Sequence, residues 1–326
     1  MTEMPARPFP PIPTSVSPQA QQFLAVNARR GGTSPALDDT EGWLKQIAES
    51  DKYIVERYGG REFPLAVEDT EIAGVHTFVI RAHDVPDGPG TPVYLDIHGG
   101  ALVMGGGDVC RMMASGYALA TGMTTWAPDY RMPPLHPYPA PLDDCMAVYR
   151  ALLEVRDPRD VFVGGGSAGG NLAAALVVRA RDEGLPLPAA LVLVSPEVDL
   201  TESGDTFQTN LGIDNVLGPL IQTNLLYANG HDLAHPYLSP LFADVTGFPP
   251  TFLQAGTRDL FLSNTVRMHR KLRDAGVDAE LPSGRRCRTA ASPGRPRTPR
   301  SSARCAVSST ATAALRRPRP AVASGW

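Results

Sequence analysis

Seven residues constrain this chain more than any others: Gly164-Gly165-Gly166-Ser167-Ala168-Gly169-Gly170. Ahead of them, Asp160–Val163 reads as a short apolar strand; behind them, Ala168–Asp182 is rich in Ala and Leu and reads as a helix. A strand that passes straight into a helix needs a turn so tight that side chains flanking its apex collide. Glycine removes the collision and tolerates unusual φ and ψ. Gly165, Ser167 and Gly169 form G-x-S-x-G in the strand–turn–helix context that puts a serine hydroxyl at the tip of such a turn. The hydroxyl then stands at a helix N-terminus, where the dipole favours developing negative charge. A glycine-rich turn with an incidental serine is the competing reading.

A second signal weakens that competitor. The apolar stretch Pro92–His98 reads as a strand and ends in His98-Gly99-Gly100-Ala101. Small residues let backbone N–H groups approach a tetrahedral oxyanion that side chains would obstruct. Gly100 and Ala101, with the Ala168 N–H, are the expected donors. His98 reads as a residue that fixes this loop rather than as a base.

The rest of the chain supplies the frame. Residues 18–59 read as helical, with a break at Gly31-Gly32. Val75–Ala82, Thr124–Ala127, Ala190–Val194 and Thr251–Gln254 read as strands, and Asp143–Val155 and Ser263–Ala275 as helices. Asp278–Leu281 starts a further strand. This alternation predicts an α/β fold: a mostly parallel sheet with helices on both faces. Residues 205–240 read as an irregular insertion, which with 18–59 is expected to form a cap over the strand ends, where such sheets bind ligands.

Together these motifs resemble the hormone-sensitive-lipase-like family of α/β-hydrolases, the bacterial esterase branch. That family carries HGGG, D-Y-R-L-A-P-E-x-P-x-P and GDSAGG. Here they stand as HGGA, as Asp129-Tyr130-Arg131-Met132-Pro133-Pro134-Leu135-His136-Pro137-Tyr138-Pro139, and as GGSAGG. Ala101 replaces the third glycine, and Gly166 the aspartate before the serine. The resemblance spans roughly residues 20–281. It implies an α/β-hydrolase fold, a Ser167 nucleophile, and a catalytic acid at Asp259 in Gly256-Thr257-Arg258-Asp259-Leu260. The order Ser, then Asp or Glu, then His is that of such triads.

The histidine is missing. Only His269 follows Asp259, inside the expected helix Ser263–Ala275, and His231 and His235 precede it in the insertion. The family implies a Met-Pro-His-Gly-Gly-Phe loop shortly after Leu281. Instead, Pro282–Trp326 holds ten arginines and no lysine, acidic residue or histidine. The formal net charge of −4 therefore joins a +10 segment to a −14 remainder. The genetic code allows Arg286–Ser292 to be written CGA-TGC-CGC-ACG-GCG-GCT-TCG. Read from the last base of the first codon, that string spells Met-Pro-His-Gly-Gly-Phe. A frameshift near codon 281 is the expectation, with 282–326 an aberrant, disordered tail by composition.

Composition narrows the remaining classes. Four cysteines, Cys110, Cys145, Cys287 and Cys305, show neither disulfide nor zinc spacing. No nucleotide motif or cofactor requirement is visible, and nothing points to a nucleic-acid partner. Residues 1–17 are proline-rich, read as disordered and lack a signal-peptide core. No apolar run approaches a membrane span, so a cytoplasmic protein, with oligomers allowed, is expected. The leading function is a carboxylic-ester hydrolase for short or medium acyl esters or lactones. The alternatives are a catalytically dead small-ligand-binding protein of the same fold, and a degraded gene product.

Overall fold

The computed structural model describes residues 10–14, 16–26, 34–59 and 63–282. Two helices come first, α1 (Pro18–Val26) and α2 (Thr40–Tyr58), followed by the hairpin β1 (Leu65–Ile72) and β2 (Val75–Ala82). Strands and helices then alternate: β3 (Val93–Ile97), α3 (Asp108–Thr121), β4 (Thr124–Pro128), α4 (Ala140–Val155), β5 (Val161–Gly166), α5 (Ala168–Asp182) and β6 (Ala190–Val194). Two short helices, α6 (Thr206–Thr209) and α7 (Ile221–Ala228), precede β7 (Thr251–Gln254), α8 (Leu262–Asp274) and β8 (Ala279–Glu280).

The strands form one sheet in the order β1-β2-β4-β3-β5-β6-β7-β8. Pairing is antiparallel in β1/β2 and β2/β4 and parallel elsewhere. This is the α/β-hydrolase arrangement that the motifs implied. Central strands covered on both faces read as unbroken apolar runs, and Ala190–Leu193 and Val161–Val163 are fully or almost fully buried. Helix α5 packs on β5, with Leu172 through Val178 in the same core cluster as Val161 and Val163.

Register brings the strand ends together. Ile97 pairs with Gly165, Gly166 with Val194, and Val194 with Gln254. The loops after β3, β5, β6 and β7 therefore leave one edge of the sheet side by side.

Several elements differ from the sequence reading. The strand expected at Asp160–Val163 continues through the glycines to Gly166, because those residues pair with β6. Helix α4 begins at Ala140, with Pro141 in its first turn, where a missing N–H costs nothing. Strand β1 carries no apolar alternation, since residues 67–69 face solvent at the sheet edge. Helix α3 carries Gly116 and follows three glycines, a pattern that masks a helix. The expected disorder at residues 1–9 and the aberrant segment from 283 onward lie outside the described residues. Residues 10–14, 16 and 17 form neither helix nor strand.

The segments 18–59 and 205–240 touch. The Asn215 amide donates to the carbonyls of Phe23 and Leu24 at 3.2 and 3.0 Å. Ile47 of α2 and Leu217 and Leu226 pack on a cluster formed by Ala101, Val103, Phe207, Leu220, Leu260 and Phe261. That cluster joins both segments to the loops after β3 and β7.

Candidate active site

Ser167 sits between β5 and α5 with φ 56° and ψ −121°, a backbone conformation that costs a non-glycine residue of order 1–3 kcal/mol. Its backbone is pinned from both sides. The Ser167 N–H donates to Val194 O at 3.0 Å, and its carbonyl accepts from Asn171 and Glu197, each at 3.2 Å. As the first residue of the turn it caps α5 without using its side chain, which leaves the hydroxyl uncommitted to the helix. The collisions expected of flanking side chains are explicit. A Cβ on Gly165 would lie 2.3 Å from the Ile97 carbonyl oxygen, and one on Gly169 1.8 Å from the same atom.

Asn171 braces the turn from inside α5. Its buried amide nitrogen donates to Glu197 O and Leu238 O, both at 2.7 Å. Asn171→Ala leaves two buried carbonyls short of a donor, at about 1–3 kcal/mol each before relaxation. A loss of about 2–4 kcal/mol in urea unfolding is expected, and an unchanged midpoint would refute the brace.

The loop after β3 lies against Ser167. A Cβ on Gly99 would stand 2.8 Å from Gly166 O and 3.5 Å from Ser167 Cβ. Gly100 takes φ 143°, and a Cβ there would strike Met104 O at 1.8 Å. Ala101 and Leu102 both adopt positive φ, 53° and 64°, so the alanine in place of glycine keeps a left-handed backbone at some cost in strain. Among the described residues, the N–H groups of Gly100, Ala101 and Ala168 donate to no other residue. His98 holds the loop's base: its Nδ1 pairs with Gly99 O at 2.9 Å and its ring stacks on Tyr130 at 4.1 Å. The Tyr130 hydroxyl in turn donates to His98 O at 2.8 Å. Burial pushes the His98 pKa below its usual value, against the Gly99 hydrogen bond and the charge of Asp129.

Asp259 follows β7 on the same sheet edge as Ser167. The link is short: Ser167 N–H donates to Val194 O, the next residue's N–H, of Ser195, donates to Gln254 O at 2.6 Å, and Asp259 follows the turn beyond. Asp259 is fully buried. Its Oδ1 accepts from the Phe261 N–H at 2.8 Å, while its Oδ2 is buried with no partner. Burial lifts its pKa to about 6, against the pull of the Ser195 hydroxyl and with help from the charge of Asp214. A raised acid binds its proton more tightly in the folded chain than in the unfolded one. Its protonated form therefore favours folding at low pH, and that contribution is lost as pH rises from about 4 to about 6. The span from 3.8 to about 6 corresponds to a cost of order 3 kcal/mol at neutral pH. Asp259→Asn is expected to raise Tm at pH 8 and to leave it nearly unchanged at pH 4. A lower Tm at pH 8 would contradict the burial cost.

Among the described residues, no histidine is within hydrogen-bonding distance of Asp259 Oδ2. His269 lies on α8 with its Nε2 3.3 Å from Ala279 O. His231 and His235 pack against Tyr138. His76 pairs with Asp69 and Asp129.

Glu197 is a residue that the sequence reading passed over. It is fully buried, neither carboxyl oxygen has a partner, and its N–H holds the Ser167 carbonyl. Burial lifts its pKa to about 8, opposed by Asn224 and aided by Glu202 and Asp199. No sequence signal singles it out: Ser195 and Pro196 separate it from the apolar run Ala190–Val194.

Comparison with known proteins identifies the family and the fold. The family described as having the alpha/beta hydrolase fold matches residues 94–286. An esterase of Acinetobacter venetianus is 33% identical over 215 residues, which cover 65% of this chain and 70% of that protein. An acetyl-hydrolase of Streptomyces hygroscopicus is 36% identical over 186 residues, covering 56% and 62%. The chain thus spans between 62% and 70% of these relatives' length. The crystal structure of the esterase E25 is 34% identical, covers 86% of this chain and 88% of its own, and superposes with a TM-score of 0.74. A solved esterase from the bacterial hormone-sensitive lipase family is 31% identical, with coverages of 82% and 88% and a TM-score of 0.69. By fold, motifs and matched residues, this chain belongs to the α/β-hydrolase family, among the bacterial esterases related to hormone-sensitive lipase.

Proposed function

We propose that this fold is that of a carboxylic-ester hydrolase acting through an acyl-Ser167 intermediate, and that the chain as written has lost its general base. The observation that carries the proposal is the buried Asp259 Oδ2 without a donor. In a serine triad such an oxygen accepts from an imidazole N–H, orients the ring and stabilises the imidazolium. The N–H groups of Gly100, Ala101 and Ala168 would receive the oxyanion, and segments 18–59 and 205–240 would cap the site.

In the intact mechanism a histidine takes the Ser167 proton as the oxygen attacks the ester carbonyl. The tetrahedral oxyanion collapses to the acyl-serine and releases the alcohol, which receives that proton. Water, activated by the same base, then frees the acid. The strained turn, the uncommitted backbone donors and Asp259 serve every one of these steps, and only the base is missing.

The loss is one of reading frame. No histidine follows His269, and the composition breaks at Pro282. The family match ends at residue 286, close to that break. DNA sequence across codon 281 tests the frame directly. The function is tested in a chain restored to the frame spelling Met-Pro-His-Gly-Gly-Phe. That chain should hydrolyse a chromogenic short-chain ester, and its Ser167→Ala variant should not. Hydrolysis that survives Ser167→Ala would overturn the reading.

A further inference from the structure

Beneath the loop after β3, a ring nitrogen of His98, the sulfur of Cys110 and a carboxylate oxygen of Asp129 lie within 4.8 Å of one another. They come from the end of β3, the first turn of α3 and the residue after β4. The spacings, 12 and 19 residues, form no metal motif, so the sequence does not announce them. His98 and Cys110 are buried, and the Asp129 side chain retains 19% exposure, which gives a way in.

The His98 tautomer is fixed by its surroundings. Gly99 O can only accept, so Nδ1 carries the proton in the 2.9 Å contact between them. In the neutral ring Nε2 then bears a lone pair, and this atom is fully buried without a partner. An imidazole that donates one nitrogen to a backbone carbonyl and leaves the other bare is oriented as a metal ligand is. Asp129 is held in turn: Gly107 N–H donates to its Oδ1 at 3.0 Å, and His76 Nδ1 stands 3.0 Å from its Oδ2. Cys110 Sγ has only distant carbonyl neighbours, at 3.8 and 4.0 Å.

We propose that His98, Cys110 and Asp129 form a binding site for one soft or borderline divalent cation, of the zinc or cobalt(II) class. One thiolate, one carboxylate and one neutral imidazole balance a dipositive ion, so the filled site buries no net charge. Thiolate and imidazole select such ions over magnesium and calcium. Tetrahedral bonds of about 2.0–2.3 Å would put ligand atoms roughly 3.5 Å apart, so filling the site draws them inward by no more than about an ångström. A solvent molecule, reached past Asp129, would complete the coordination. Binding exchanges the thiol proton for the metal: the S–H bond breaks, an S–metal bond forms, and one proton leaves to buffer. Because that proton is released, affinity rises with pH. The site is independent of whether the chain hydrolyses esters.

The test is titration of chelator-treated full-length protein with cobalt(II), in a background where Cys287 and Cys305 are serine. The expected result is one equivalent bound, a thiolate-to-cobalt charge-transfer band with visible d–d bands, and about one proton released. Zinc should displace the cobalt, and magnesium should not. Cys110→Ser and Cys110→Ala should abolish the charge-transfer band, Asp129→Asn should weaken binding at least tenfold, and Cys145→Ser should change neither. Circular dichroism identifies any variant that fails to fold, and for those the proton count and stoichiometry of the parent decide. Absence of the band in the folded parent overturns the proposal. So does a band that persists in folded Cys110→Ala, or one seen only when Cys287 and Cys305 are present.

Discussion

Restoring the frame that spells Met-Pro-His-Gly-Gly-Phe after Leu281 is expected to raise ester turnover by about 10⁶ over the chain with the arginine-rich segment. Ser167 without a base remains a neutral hydroxyl and a poor nucleophile. Loss of the histidine in a comparable triad enzyme costs about 10⁶ in turnover. At about 1.36 kcal/mol per tenfold, that is roughly 8 kcal/mol of transition-state stabilisation. The unrestored chain keeps the expected oxyanion donors, so slight hydrolysis above water should persist. The comparison is of kcat for a chromogenic short-chain ester with both purified proteins. Comparable turnover in the two, dependent on Ser167, would sink the missing-base argument and direct attention to His231, His235 or His269.

The second large effect is expected from Gly169→Ala. Alanine within a helix ordinarily gains about 1 kcal/mol over glycine. Here the new Cβ would lie 1.8 Å from Ile97 O and 2.7 Å from His98 O. Both are backbone atoms of the strand that leads into the Gly99–Ala101 loop, so no side chain can rotate away. Overpacking costs about 1–3 kcal/mol and occasionally more, and this contact belongs at the upper end. Relief by moving β3 would displace the loop from Ser167, and a 1 Å misplacement costs about a hundredfold in rate. In the frame-restored chain we expect a clear drop in urea midpoint and a fall in kcat of at least a hundredfold. Gly184→Ala supplies the contrast. It has open space around its Cβ position and positive φ, so it should cost stability alone. Wild-type stability and rate in Gly169→Ala would show that the turn is not tight.

What the sequence made legible followed from rigid local rules. The turn at Ser167 needs glycine at fixed offsets, and buried parallel strands need unbroken apolar runs, so β5, α5, β6 and β7 could be read within a few residues. Strand β1 was not legible. Its Glu68-Asp69-Thr70-Glu71 stretch pairs with β2, and an edge strand's stability comes from its partner's backbone rather than from its own side chains. Helix α3 was hidden by its glycines. Asp259 was placed by chain order and resemblance, but the bare Oδ2 became visible only in three dimensions. Glu197, Asn171 and the His98–Cys110–Asp129 group were illegible for the same reason. Each depends on residues that only the folded sheet brings together.

The sheet order has a consequence for how the chain comes into being. Apart from the exchange of β3 and β4, strands join the sheet in the order in which a ribosome would deliver them. Every central strand precedes Leu281, and β8 adds only the pairs Thr251 with Ala279 and Phe252 with Glu280. All eight strands of the sheet are thus encoded before codon 282. Some site contacts close late: Arg258, beside Asp259, reaches back 247 residues to the carbonyl of Pro11, and contacts of such separation form slowly. On the proposed reading, a shift of frame after Leu281 would leave every strand of the sheet encoded. Such a chain would keep the elements of its sheet while lacking the proposed base.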